Sequence, residues 1–134
     1  MALPNGAGGY QLGDGNLNEV TLVVSAIPTA YTAGVTLTTN DLAGGLVVYT
    51  SASTADLALP AVTGVGGVDA VFSSARVGSS FDIALVATST GVPTITVGTG
   101  WTLVGSGAGV ASKSVLFRAV KTGDGTYKLY RIAG

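Results

Sequence analysis

The chain of 134 residues contains no Cys and no His, and only 10% of it is charged. Without Cys there is no disulfide framework, no thiolate nucleophile and no Cys-ligated zinc. Without His the commonest general base and the commonest metal ligand are missing as well. Soluble domains carry about a quarter charged residues, which keep them apart in solution. With 47% of the residues hydrophobic and so few charged, the surface must consist largely of Gly, Ser, Thr and Ala. That composition suits a chain covered by partners. A net charge of −1 and an isoelectric point near 4.9 supply no long-range field, so neither nucleic acid nor an anionic membrane is an expected partner. Mean hydropathy is +0.56, yet no apolar run approaches the roughly 20 residues of a spanning helix. Met1 to Gln11 also lacks the basic and apolar regions of a secretory signal.

What is present is a series of short runs rich in Val, Ile, Thr and aromatics, each closed by Gly, Pro, Asn or Asp. They are Glu19 to Ser25, Val35 to Thr39, Leu46 to Thr50, Asp56 to Leu59, Ser80 to Ala87, Thr94 to Val97, Trp101 to Val104, Ser114 to Lys121 and Thr126 to Ile132. Strands at such intervals predict an all-β domain, a β-sandwich or jelly roll, over residues 19–134. The sharpest local signal is Thr122-Gly-Asp-Gly-Thr126, whose glycines offer the positive φ of a tight hairpin loop. Val68, Val71, Phe72 and Ala75 share one face at helical spacing, which predicts one short helical crossover between sheets. Residues 1–18 hold five Gly, one Pro and three Asn with no sustained period and read as an extended N-terminal arm. Leu3, Tyr10, Leu12 and Leu17 along it are candidate contacts with a partner, one pocket for each.

The few charges are sorted. Five of the six basic residues, Lys113, Arg118, Lys121, Lys128 and Arg131, lie in or just before the last hairpin. Six of the seven acids, Asp14, Glu19, Asp41, Asp56, Asp69 and Asp82, lie at or before residue 82. Residues 1–112 therefore carry −5 and residues 113–134 carry +4. Alternation puts Val115, Phe117, Ala119 and Lys121 on one face of their strand and Leu116, Arg118 and Val120 on the other. Both faces carry apolar residues, which fits a sheet that packs on a neighbouring subunit. Arg118, Lys121, Lys128 and Arg131 are the candidate contacts of this basic hairpin with acidic loops of a neighbour.

Catalytic patterns are poor. Asp41, Asp56, Asp69 and Asp82 stand about a strand and a turn apart and read as turn and strand-end residues. Lys113 beside Ser112 and Ser114 suggests a Ser–Lys dyad, but adjacent strand residues point to opposite faces. Asp14 and Asp124, each between glycines, lack the alternating oxygens and closing Glu of a calcium loop. Gly98-Thr-Gly100 and Gly105 to Gly109 lack the Lys-Ser/Thr of a phosphate loop. Trp101 and the tyrosines, Tyr49 among them, read as core or interface packing ahead of a stacking platform for sugars. The expectation is a protein that is not an enzyme and takes no cofactor or metal.

From Asp56 to Ala133 the elements run in an order with distinctive members: Leu59-Pro60, Gly78 to Asp82, Gly98 to Gly105, Phe117-Arg118 and Tyr130 to Ala133. In this order, over somewhat more than half the chain, the sequence resembles the small jelly-roll modules of tailed-phage virion proteins, including capsid decoration (cement) proteins and parts of fibres. The opening from Leu3 to Asn16 is similar to that of short marine-phage structural proteins. The resemblance implies a homotrimer on the outer surface of the capsid, bound to the major capsid protein and stapling neighbouring coat subunits. A start at Met1 with its own arm and a stop two residues after the last strand lead one to expect a decoration protein before a fibre module. A receptor- or carbohydrate-binding β-sandwich is the alternative expectation, and an enzyme comes a distant third.

Overall fold

A computed structural model of the chain describes residues 27–134. The arm of residues 1–18, with Leu3, Tyr10, Leu12 and Leu17, and the strand expected over Glu19 to Ser25 lie outside the described residues. Nine strands and two short helices follow in order: β1 (Ala30–Tyr31), β2 (Val35–Thr36), α1 (Thr39–Gly44), β3 (Leu46–Tyr49), β4 (Ala55–Ala58), α2 (Val68–Val71), β5 (Ser80–Ala87), β6 (Pro93–Thr96), β7 (Trp101–Val104), β8 (Ser114–Gly123) and β9 (Thr126–Ala133). The strand-rich class expected from the sequence is what the described residues form.

The strands make two sheets, one of six in the order β1-β3-β5-β8-β9-β7 and one of three in the order β2-β4-β6. From β1 to β6 the chain alternates between them, so each sheet grows by one parallel strand per circuit. Rows of aligned residues run across both: Ala30, Val48 and Val86 in the larger sheet, Val35, Leu57 and Ile95 in the smaller. Five of the seven strand pairings are parallel, and only β5–β8 and β8–β9 are antiparallel. A jelly roll is built from antiparallel Greek keys, so the jelly-roll form of the expectation does not match this pairing. Parallel neighbours need crossovers, and here the opposite sheet serves as the crossover.

Both sheets supply one core. Leu57 and Ile95 from the small sheet meet Val47, Tyr49, Ile83, Leu85, Phe117 and Leu129 from the large one, all of them buried. Trp101 is 7% exposed and donates its indole N–H to the Pro60 carbonyl at 2.8 Å. Tyr49 is fully buried, and its hydroxyl donates to the Ser53 carbonyl at 2.5 Å. Neither ring is open to a sugar, and the packing reading of both holds. An aromatic file continues from Trp101 through Tyr127 and Phe81 to Phe72, with centroids 5.2, 6.2 and 5.2 Å apart.

The local departures have local causes. The run Val35 to Thr39, expected as a strand, stops at Thr36 and turns into α1. Thr38 accepts from the Asp41 N–H while Asp41 accepts from the Thr38 N–H, a capping box, and Gly45 at φ 71° closes the helix. The helical crossover over Val68 to Ala75 is present but shorter, since regular helix ends at Val71. It connects β4 of one sheet to β5 of the other, as expected. At the last hairpin Gly125 alone takes positive φ, at 70°, and Gly123 pairs with Thr126.

Candidate interaction surface

The larger sheet has one face on the core and one without a covering element among the described residues. Alternation assigns the outer face residue by residue. Leu46 and Val48 come from β3, Ala84 and Val86 beside Ser80 and Asp82 from β5, Leu116 and Val120 beside Ser114, Arg118 and Thr122 from β8, Tyr130 beside Thr126 and Lys128 from β9, and Val104 beside Thr102 from β7; Ile132 follows at the register shift of the β8–β9 pair. Leu46, Val104 and Ile132 are 37%, 41% and 50% exposed, and the other apolar residues are half-buried.

Across the two central strands of that face lies one ion pair. Asp82 on β5 stands opposite Arg118 on β8 in the ladder. Arg118 Nε donates to Asp82 Oδ1 at 2.7 Å and Nη2 donates to Oδ2 at 3.3 Å, a two-pronged contact. The hydrogen bonds from Arg118 hold the Asp82 carboxyl below the usual carboxylate range, and the same bonds raise the guanidinium. Lys128 is the other charge on this face, beside Val120 and Thr102 in the register.

The remaining basic candidates are turned elsewhere. Lys121 faces inward, as alternation predicts, with its side chain 10% exposed and its Nζ donating to Asp69 Oδ1 at 2.8 Å. Asp69 Oδ2 accepts the Gly125 N–H at 3.0 Å, so one carboxylate ties α2 to both sides of the hairpin loop. That bond to Asp69 raises the Lys121 ammonium above its usual value against the opposing effect of burial. Arg131 donates to the carbonyls of Ser106, Ala108 and Gly134. It thereby pins the loop that covers the edge of β6, where the Ile95 N–H donates to Gly107 and the Gly109 N–H donates to Pro93. Of the four basic candidates, then, Arg118 and Lys128 share the outer face, while Lys121 and Arg131 serve the fold.

A third acid, after Asp82 and Asp69, also serves the fold. Asp41 caps α1 and accepts the Tyr31 hydroxyl at 2.6 Å, a bond that pushes the Tyr31 phenol up to about 12. Among the described residues no three His, Cys, Asp or Glu side chains converge as a metal site. No helix among them is long and apolar enough to cross a membrane.

A groove of about 480 Å³ opens between α1, the residues after α2 and the start of β5, with Leu42, Phe72, Phe81 and Tyr127 along its apolar side and Ser74, Ser79 and Ser80 on its polar side. Burial raises the Tyr127 phenol at its inner end. Sequence reasoning reached only one strip of the outer face, the Leu116–Arg118–Val120 side of β8. The available signal was that Leu46 to Tyr49 and Ile83 to Ala87 are apolar on both alternations, which marks strand segments with two faces to cover. Comparison of the chain with protein-family models, with curated proteins and with solved structures finds no match.

Proposed function

We propose that this chain is a structural virion protein, a capsid decoration (cement) protein. It would bind the outer surface of a tailed-phage head as a homotrimer and bridge neighbouring subunits of the major capsid protein. The observation that carries this reading is the outer face of the six-stranded sheet, on which Leu46, Val48, Val86, Leu116, Val120, Tyr130 and Val104 have no covering element among the described residues, on a chain with only 10% charge. Large contiguous apolar faces mark protein–protein contact rather than a lone domain. The mechanism needs no covalent chemistry: a protein that binds only the assembled shell stabilises it by mass action, and several contacts per oligomer multiply weak affinities. Asp41, Asp69 and Asp82 support the non-enzymatic reading, because each is engaged in holding the fold. The test is to add purified protein to expanded cognate heads and follow co-sedimentation and the temperature of disruption. Saturable binding with a raised disruption temperature is expected. Failure to co-sediment at micromolar concentration rejects the proposal.

A receptor- or carbohydrate-binding module, free or as part of a fibre, is the second reading, and the aromatic groove between α1 and β5 is what favours it. Trp101 and Tyr49 are removed from this role by burial, leaving Phe72 and Phe81 as the rings on which a sugar could stack. Glycan-array binding lost in Phe72→Ala would support it. Binding unaffected by that substitution would dismiss the groove.

A further inference from the structure

We infer that the open edge of β2 is a docking site for residues 19–25 of the same chain, which add to it as a further parallel strand and make the smaller sheet four-stranded. The inference does not rest on the capsid reading.

The state of the edge leads to it. The smaller sheet has β6 on one side and β2 on the other. Along β6 the loop with Gly107 and Gly109 supplies partners, whereas no element pairs with the outer side of β2 among the described residues. The Leu37 N–H donates to the Ala58 carbonyl at 2.7 Å, so by alternation the N–H and C=O of Thr36 point away from β4, to the open side. The core is open at the same place. Val35 stands in one row with Leu57 and Ile95, which are 0% and 2% exposed, yet Val35 itself is 36% exposed. A core row that ends on an exposed Val beside unpaired backbone is an edge with room for one more strand.

The path of the chain names the occupant. From β1 to β6 successive strands alternate between the sheets, so one step back from β1 lands on the smaller sheet, beside β2. Residues 26–29 must make that crossing, and the chain crosses with the same four residues, 97–100, between β6 and β7. Pro28 keeps Ile27 extended, and the five steps from Ser25 to Ala30 reach roughly 17 Å where facing sheets stand about 10 Å apart. Ile27 and Pro28 share a hollow with Thr38 and Asn40, just past the end of β2, where a parallel strand has to hand the chain over to β1.

The side chains agree. Along Glu19 to Ser25, Val20, Leu22 and Val24 fall on one alternation and Glu19, Thr21, Val23 and Ser25 on the other. With the first set inward, Leu22 beside Val35 prolongs the buried row, and Ile27 then comes beside Asn40, its neighbour in the hollow. Thr36 N–H meets the Leu22 carbonyl in this register and Val24 N–H meets the Thr36 carbonyl, the same step by which Leu37 bonds to Ala58. A parallel strand begins beside the beginning of β2. Residues 1–18 therefore leave the fold at the end that carries the turns of residues 32–34, 50–54 and 88–92, and Leu3, Tyr10, Leu12 and Leu17 are offered to a partner from there.

The experiment uses the full chain. Amide hydrogen exchange followed by nuclear magnetic resonance is expected to show Leu22, Val24 and Thr36 at least about tenfold more protected than Thr21 and Val23, whose N–H groups face solvent. Leu22→Asp, which sets a charge in the core-facing row, should abolish the protection of Thr36, and Thr21→Asp, on the outward alternation, should leave it. The chain has no Cys of its own, so Val23→Cys combined with Thr36→Cys reports the contact without background, and a short bis-maleimide should join the two within one chain. Equal exchange along residues 20–24 overturns the inference. So does a protected Ala30 amide with an unprotected Thr36, which would put the segment on the edge of β1, or cross-links that form only between chains, which would give the edge to a second copy.

Discussion

Replacing Gly107 by Ala should lower stability by an amount that the edge of the smaller sheet determines. Gly107 is buried where the loop after β7 runs along β6, and a Cβ there would drive into the carbonyl oxygen of Ile95. The carbonyl carbon of Ile95 would sit only 3.2 Å away and Leu103 Cδ2 3.3 Å away. Since the obstacle is backbone in a paired strand, the loop must be the part that moves. Two ladder bonds depend on its position: Ile95 N–H to the Gly107 carbonyl at 2.8 Å, and Gly109 N–H to the Pro93 carbonyl at 2.7 Å. Overpacking costs about 1–3 kcal/mol, and losing two hydrogen bonds costs about 1 kcal/mol each, so the expected loss is ~3–5 kcal/mol. For a domain of this size that corresponds to a fall in Tm of roughly 12–20 °C. Circular dichroism melts at fixed protein concentration measure it, with light scattering recorded alongside, because an uncovered β6 becomes a free edge for intermolecular pairing. Ser106→Ala is the control: it removes only an exposed hydroxyl that accepts the Ala108 N–H at 3.2 Å, and should cost less than about 1 kcal/mol. A Gly107→Ala protein that melts within about 3 °C of the parent, or no lower than the Ser106→Ala control, would refute the account of this edge.

Three further outcomes follow from individual contacts. Trp101→Phe removes the N–H donated to Pro60 and leaves a void beside Tyr127, and should cost about 2–4 kcal/mol in urea unfolding with an unchanged m-value. The Tyr31 phenol, raised to about 12 by its bond to Asp41, keeps its proton in the folded chain where the unfolded chain, at the ordinary value of 10.0, loses it. Its contribution is therefore complete below pH 10 and declines between pH 10 and about 12; Tyr31→Phe should remove that part of the alkaline decline, and near-ultraviolet phenolate absorbance should show the late titration. Asp69→Asn releases Lys121 and weakens the hold on Gly125, so hydrogen exchange at the Gly125 amide should accelerate at least tenfold while the Leu85 amide on β5 is unaffected.

The strands were legible where both ends carried a marker. Ser80 to Ala87 and Trp101 to Val104 begin and end as the sequence suggests, because glycine or a turn residue brackets each. Helix α1 was not, since Val35 to Thr39 has strand propensity throughout and its capping box is visible only if Thr38, Asp41 and Gly45 are weighed together. The direction of pairing left no trace, because a side-chain period of two reports which face is buried and nothing about the neighbour's polarity. Sorting of charge was visible and its destination was not. Asp82 and Asp69 find Arg118 and Lys121 across 36 and 52 residues of chain, separations at which no local pattern carries information. The acidic body and the basic hairpin thus meet within one molecule. For the same reason the outer face could be read on β8 alone, and its breadth emerged only once β3, β5, β9 and β7 were set beside it.

The alternation of the chain between the two sheets has a mechanical consequence. From β1 to β6 neither sheet can be lifted off the other as a unit, because every link between successive strands passes from one to the other. Tension applied at Ile27 should unspool the molecule circuit by circuit, starting with two-residue ladders that come apart in succession. At the other end β9 is held by β8 up to Ala133 and by β7 over Tyr127 to Tyr130, so a pull at Gly134 must shear a long antiparallel ladder and then both ladders together. The described residues are weak to traction at Ile27 and strong to traction at Gly134, a polarity that would matter for any protein held to a moving surface.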